Sequence, residues 1–538
     1  MTNYIQFLIS TKLRLYVALT GWLTIWFFFT LWRINYLGFY SDDWIFLSKT
    51  IISPHSINDY IATNNYARPV YGLITWILNE ISDGNPLKWQ IISSVISFIY
   101  SSTALIVFVI VLNKIGFNKN PSFIGALIGA IILAFSPWSL AVLVWPTGVL
   151  TLWGFILFGI GYIIIENTNA KTKLYGSLLV LCGCLAYEAY WFIFIPLLLM
   201  SHKFNYKGII NLLKNSLWYI VPVFLGILYQ RLYVPFCITN NPRHISLNPS
   251  LIINNICDLD RFVAQSITPT SWSLFSKSIL YIFLYLLLLR HLQIQKAIKI
   301  IFSLLIGMLI SAIMYGLAGY GLTGTGVMSR TMAVPGLYFA IFVSAMIAAA
   351  CKKVNNKLLH YSHMIISTML FLTVFSIIAT GFYLRISEWA TIQQKSKKVL
   401  ESVATSLTKY PHVPTQNADD RHIVIVQIDG DQDGNIFGAS WELSGAMALM
   451  SPELFTFNDI WLLTARQGAW ATQWDGNDVV QSVCTNSDGN VVEKRHTSQQ
   501  PLYIRVDEQQ GLVIQQCVIV QNTQFGCNNI PPSCSNLN

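Results

Sequence analysis

Charge is scarce in this chain. Only 11% of the 538 residues are Asp, Glu, Lys or Arg, under half of the soluble average of about 25%. That excludes a water-soluble protein coated in the usual way. The formal net charge of +9 does not indicate a nucleic-acid binder either. Such binding needs basic residues clustered on a soluble face, and here they fall in short gaps between apolar runs. The glycine-rich stretch 316–326 follows no strand pattern and carries no Gly-Lys-Ser/Thr, so it is no nucleotide-binding fingerprint. Cys527 and Cys534 have neither a CxxC partner nor nearby histidines, which excludes a zinc site there. No repeat of solenoid period is present. The run from Leu15 to Trp32 is long and lacks a small-residue cleavage site, so it is expected to be a span rather than a cleaved signal peptide.

What fills the sequence instead is apolar: 54% of residues are hydrophobic. A membrane-spanning helix needs about 20 such residues, because only a helix satisfies its own backbone groups in hydrocarbon. Candidate spans fall near 15–36, 88–112, 121–136, 147–165, 175–188, 189–201, 215–236, 273–290, 298–316, 331–350 and 358–383. The fifth and sixth are short and read as spans or a re-entrant pair. Lys12, Arg14, Lys114, Lys119, Lys171, Lys173, Lys203, Lys207, Arg290, Lys296, Lys299, Lys352, Lys353 and Lys357 fall in alternate loops. The positive-inside rule makes those loops cytoplasmic. The N-terminus is then inside, and the region after 384 lies on the far side.

Six of the nine cysteines fall in loops of that far side: Cys237 and Cys257 in one, and Cys484, Cys517, Cys527 and Cys534 in the tail. Even counts there suit disulfides of an oxidising compartment. The composition turns polar after Lys395, a helix giving way to a linker at Pro411 and Pro414. Residues 422–428, 459–464, 469–474, 479–484, 502–506 and 512–520 read as strands and 437–450 as a short helix. The expected organisation is an all-α polytopic membrane domain of about eleven helices over 1–394, with its first external loop at 37–87. A helix and linker over 395–421 then lead to a small extracytoplasmic α+β or mainly β domain over 422–538.

Directly after the first span stands Tyr40-Ser41-Asp42-Asp43-Trp44. Ionisable groups next to hydrocarbon are costly and usually functional. Further along, Arg68-Pro69-Val70-Tyr71 opens an apolar stretch to Ile81 that is too short to span and is expected to skim the outer leaflet. It ends at Asp83-Gly84-Asn85-Pro86, and a hairpin of short apolar segments from Tyr175 to Met200 carries Tyr187-Glu188 at its tip.

This order of features resembles the GT-C superfamily of membrane glycosyltransferases, which includes the lipid A aminoarabinose transferase and the protein O-mannosyltransferases. The resemblance covers roughly 10–385 by architecture and rests on those short motifs. It implies a metal-independent, inverting transfer of a monosaccharide from a polyprenyl-phosphate carrier, with no cofactor besides that lipid-linked co-substrate. The acceptor would be a hydroxyl of an envelope glycan, lipopolysaccharide or secreted protein, and the setting a bacterial inner membrane with a periplasmic tail. Asp42 is the expected base and Asp43 its neighbour in orienting the acceptor. Arg330, late in the membrane domain, is the expected phosphate ligand, with Arg231 and Arg68 as further candidates. Trp44, Tyr187 and Glu188 are expected substrate contacts. A transporter or flippase of lipid-linked glycans is the alternative, and it would place ionisable residues deep within spans.

In the tail, Asp429, Asp431 and Asp433 with Gly434 match the opening of a calcium loop, but position twelve is Ser440 rather than glutamate. The same acids better suit a turn joining strand to helix.

Overall fold

The computed structural model describes residues 20–40, 43–47, 56–63, 67–136, 139–202, 206–234, 248–257, 294–322, 327–351, 357–409, 424–429, 437, 440–450, 460–463, 472–474, 478–485, 491–497, 502–507 and 513–518. The chain is mostly helical. Its main helices are α1 (20–36), α2 (Pro69–Ser82), α3 (Pro86–Ile115), α4 (Lys119–Ala134), α5 (Leu152–Asn167), α6 (Ala170–Ala186), α7 (Phe194–Ser201), α8 (Tyr206–Leu228), α9 (Ile294–Leu317), α10 (Ala333–Ala350), α11 (Lys357–Lys409) and α12 (Ser440–Met450).

Five segments are long and apolar enough to cross a membrane: Pro86–Ile115, Pro146–Asn167, Gly208–Tyr233, Ile294–Leu317 and Ser329–Ala350. They coincide with five of the eleven stretches expected from hydropathy. The expected stretches 121–136 and 189–201 are the shorter apolar helices Lys119–Ala134 and Glu188–Ser201. The one at 273–290 lies outside the described residues. The last expected span does not stop at 383. It is part of α11, whose 53 residues run from Lys357 to Lys409, about 80 Å at 1.5 Å per residue, and include the helix expected from Lys395.

Local signals account for the helix ends. Proline stands at the first position of both α2 and α3, where its missing N–H is not needed. The Asn85 side chain accepts from the amides of Leu87 (2.9 Å) and Lys88 (3.3 Å) and so caps α3. At the other end Gly116 takes φ +103, which a side chain would resist. The skimming segment is a helix whose burial is inverted. Thr75, Asn79 and Ser82 are buried while Leu73, Ile77 and Ile81 are exposed. A helix showing its apolar stripe outward suits lipid and not water. The same holds for α8, which exposes Leu213, Leu217, Ile220, Phe224 and Leu225.

Close packing of α4 on α10 depends on glycine. A Cβ on Gly125 would stand 2.3 Å from the Ser344 carbonyl oxygen, and one on Gly129 2.7 Å from that of Ala340. Backbone cannot rotate away, so Gly125→Ala must push the two helices apart. Overpacking of this kind costs about 1–3 kcal/mol. A lower melting temperature of the purified variant checks it, with Gly21→Ala, which meets nothing within 4 Å, as the neutral control.

Among the described residues the tail holds seven strands and one helix. β1 (Val424–Asp429) pairs in parallel with both β2 (Ile460–Leu463) and β6 (Leu502–Asp507), and β6 pairs antiparallel with β7 (Val513–Val518), giving the order β2-β1-β6-β7. Val424, Ile425 and Val426 are all fully buried, the continuous burial of a central parallel strand. A second sheet, β3-β4-β5 (Thr472–Trp474, Asp478–Thr485, Val491–Thr497), is antiparallel. β5 was not expected from sequence: Val-Val-Glu-Lys-Arg-His-Thr lacks an apolar alternation. α12 connects β1 to β2 and packs on α11, on β2 and on the one-turn helix Asp43–Phe46. The tail therefore rests on the turn that carries the acidic motif.

Two expectations about the tail and loops change. Cys257 is an exposed free thiol rather than half of a Cys237–Cys257 bridge, and Cys237 lies outside the described residues. No disulfide occurs among the described residues. Cys484 and Cys517 sit on β4 and β7, while Cys527 and Cys534 lie outside the described residues. Asp429 receives the Arg505 guanidinium at 2.5 Å and the Gln427 amide at 3.1 Å, so it belongs to a cross-strand pair. Asp431 and Asp433 lie outside the described residues.

Candidate functional site

The site is built where the chain breaks helix geometry. Between Val144 and Pro146 the backbone of Trp145 is extended (φ −84, ψ 116), because the residue before a proline is driven out of the helical region. The break frees the carbonyls of Leu143 and Val144, and Arg33 takes them. Its guanidinium donates to the Leu143 oxygen, to the Val144 oxygen at 3.3 Å, and twice to Gln90 Oε1 at 2.9 and 3.0 Å. Gln90 Nε2 in turn donates to the Gly38 oxygen at 2.6 Å. Arg33 is fully buried and has no carboxylate partner among the described residues. A charge in that position is expensive unless its donors are used, and here four N–H bonds tie α1, α3, the 143–145 break and the start of the acidic loop into one unit.

Asp43 is held within that unit. Its Oδ2 accepts the Tyr40 amide at 3.0 Å, and its Oδ1 accepts the Thr147 amide at 2.8 Å. The side chain is fully buried. The Trp145 indole N–H donates to the Tyr40 oxygen at 3.0 Å, and the Tyr40 hydroxyl donates to the Trp389 oxygen of α11 at 3.3 Å. Asp43 thus fastens the loop to the chain after Trp145. Trp44 is buried too, its ring edge-on to Phe39 with centroids 5.4 Å apart. Asp42 lies outside the described residues, directly before this anchored pair in the chain.

Arg330 approaches from the other side of Trp145. It lies on the short 3₁₀ helix Val327–Met332, whose Ser329 hydroxyl accepts the Ala141 amide at 3.1 Å. The guanidinium carbon sits 5.4 Å from the Trp145 ring centroid and 5.5 Å from that of Tyr320, within cation–π range. Among the described residues no carboxylate pairs with it. Tyr320 is positioned by Asn255, which donates to the Tyr320 oxygen at 3.0 Å and accepts the Leu322 amide at 2.9 Å.

Arg68 and Glu188, two of the sequence candidates, meet each other instead. The pair is forked: Arg68 Nε donates to Oε2 at 2.7 Å and Nη2 donates to Oε1. Arg68 also lies over the Tyr187 ring at 4.4 Å. Burial works against the Arg68 charge, but Glu188 outweighs it and raises the Arg68 pKa. Its fork is therefore occupied. The hydroxyls of Thr147 and Tyr190 are buried without a partner among the described residues. Unsatisfied buried groups are uncommon and mark places where a ligand or water belongs. Arg231 is exposed on the single π turn Tyr229–Tyr233 that follows α8, and its neighbour Gln230 donates to the Ala67 oxygen at 2.9 Å.

Arg33, Gln90, Trp145, Thr147 and Tyr320 were not singled out from sequence. Two signals were available: a lone arginine inside an apolar run, and a Trp-Pro pair between two spans. No protein-family model and no curated protein sequence matches the chain.

Proposed function

We propose that the chain is a membrane glycosyltransferase of GT-C type that moves a monosaccharide from a polyprenyl-phosphate carrier to an acceptor hydroxyl at the extracytoplasmic face. The observation that carries the proposal is Arg330: a cation without an acidic partner among the described residues, held over Trp145 and Tyr320 one indole away from the loop that Asp43 anchors. A lipid phosphate gains charge as the glycosidic bond breaks and requires fixed donors, and a planar fork suits it. Asp42, next to the anchored Asp43, takes the acceptor proton in this scheme. The Thr147 and Tyr190 hydroxyls are available to the substrates. About eleven spans, an N-terminus in the cytoplasm and a periplasmic tail in a bacterial inner membrane complete the proposal, supported by the loop cations and the outward apolar stripes. The acceptor in this proposal is a hydroxyl of an envelope glycan, lipopolysaccharide or secreted protein.

Arg33 inside α1 favours the second reading, a flippase, to the extent that such proteins place charge within spans. Its donors, however, all end on Gln90 and backbone oxygens.

Purified protein in lipid, given radiolabelled polyprenyl-phosphate sugar and an envelope extract, is expected to transfer label to the acceptor. Movement of intact labelled lipid across sealed vesicles, with no cleavage of the sugar–phosphate bond, would instead establish the flippase.

A further inference from the structure

The helices that meet at the candidate site carry a second polar layer at their other ends. Along α3, Lys114 lies roughly 24 residues from Gln90, about 36 Å at 1.5 Å per residue. α5 runs from the site to Glu166, α6 from Lys173 to Ala186, directly before Tyr187, and α9 from Lys296 and Lys299 to Tyr315. Four ammonium groups collect at this end. Lys114 pairs with Glu166, whose other oxygen accepts the Tyr219 hydroxyl at 2.7 Å. Lys173 is close enough to Lys114 to repel it, and Lys296 to repel Lys299. Lys296 Nζ reaches Gly116 at the end of α3, 3.0 Å from where a Cβ would stand. Lys299 donates to the His202 oxygen. His202 Nδ1 lies 3.1 Å from the Leu198 oxygen and Nε2 3.1 Å from the Asn215 amide nitrogen. Burial holds the His202 pKa down; the Leu198 bond opposes this, while Lys114 and Lys299 add to it.

Glu166 is the one acid facing these four cations among the described residues, and between residues 86 and 384 the sequence holds only three others, Glu188, Asp258 and Asp260. Like charges gathered in this way are repulsive unless an anion sits among them. On its outward face α9 exposes a continuous stripe of Ile294, Ile298, Phe302, Leu305 and Leu309, flanked by Lys299, with Lys296 on the opposite side of the helix. A ligand that fits has an anionic phosphate head and an apolar body.

We propose that Lys114, Lys173, Lys296 and Lys299 form a binding site for the phosphate of an anionic phospholipid headgroup, with its acyl chains lying along the exposed stripe of α9. The site stands apart from the proposed transfer chemistry and does not depend on it.

The full chain, purified in neutral detergent, is melted with added phosphatidylglycerol, with phosphatidylcholine, and with inorganic phosphate at the same concentration. Phosphatidylglycerol is expected to raise the melting temperature by about 2–4 °C, and the other two to leave it unchanged. The double variant Lys173→Gln, Lys296→Gln removes two cations that make no hydrogen bond of their own among the described residues, and it should lose the increment. Native mass spectrometry of the wild type should show retained phosphatidylglycerol, a readout that does not require a variant to fold. An equal rise with phosphatidylcholine, an equal rise with phosphate alone, or a full increment in the double variant overturns the proposal.

Discussion

Asp42→Asn is expected to lower sugar transfer by about 10²–10⁴-fold, the usual contribution of a general base, and to leave the melting temperature where it is. Asp43→Asn is expected to do something else. Both Asp43 oxygens accept backbone amides, from Tyr40 and from Thr147. An amide side chain offers one acceptor and one donor, so whichever way it turns, a buried N–H faces an NH₂ group. Leaving one buried donor unmet costs about 1–3 kcal/mol. The cost falls on the junction between the acidic loop and the start of the Pro146–Asn167 span, so this variant should melt lower and lose activity together. Measuring transfer and melting for both variants separates the roles. If Asp42→Asn transfers at the wild-type rate while folded, the assignment of the base fails. If Asp43→Asn melts like the wild type, the two backbone bonds contribute little.

Arg330 carries the second large effect. Removing one fixed donor to a developing oxyanion typically costs about 10²–10³-fold in kcat, and Arg330→Ala should fall in that range. Because no carboxylate pairs with Arg330 among the described residues, its removal strands no buried anion and the protein should still fold. Arg330→Lys keeps the charge but not the fork or the flat stacking against Trp145 and Tyr320, so it should recover only part of the rate. A loss made only in the transition state lowers kcat and kcat/KM alike, whereas a ground-state contact raises KM alone. Steady-state kinetics against donor concentration distinguishes these. Arg231→Ala, at an exposed position, is expected to change neither parameter, and a loss there equal to that of Arg330→Ala would move the phosphate contact to α8.

The helices were legible because lipid imposes a simple rule: a stretch of about 20 apolar residues has few alternatives to a helix. The β1 run His-Ile-Val-Ile-Val-Gln-Ile was legible for a similar reason, since continuous apolar residues suit a strand covered on both faces. What escaped depends on contacts between distant parts of the chain. The division of labour between Asp42 and Asp43 is invisible in sequence, because it rests on the Thr147 amide, 104 positions away. Arg68 and Glu188 looked like separate candidates until the fold joined them across 120 positions. β5 hides behind Glu-Lys-Arg because its apolar residues come as one adjacent pair, not in alternation. Arg33 was within reach, since a single cation inside an apolar run needs a partner, but the carbonyls of Leu143 and Val144 become free only once Pro146 breaks the helix.

The length of α11 bears on how this chain can change. It touches the acidic loop at Trp389 and the tail sheet and α12 further on, with no interruption up to Lys409. A helix turns by about 100° and advances about 1.5 Å for each residue. One residue inserted between those contacts would therefore swing every later side chain onto a different face of the rod, and the tail could no longer meet the loop. Even steps that restore the phase, near seven or eleven residues, would carry the tail about 10–16 Å along the axis and away from the loop. The tail would then be indexed to the membrane part like a key cut at a fixed number of teeth, open to substitution along the shaft but closed to gradual lengthening.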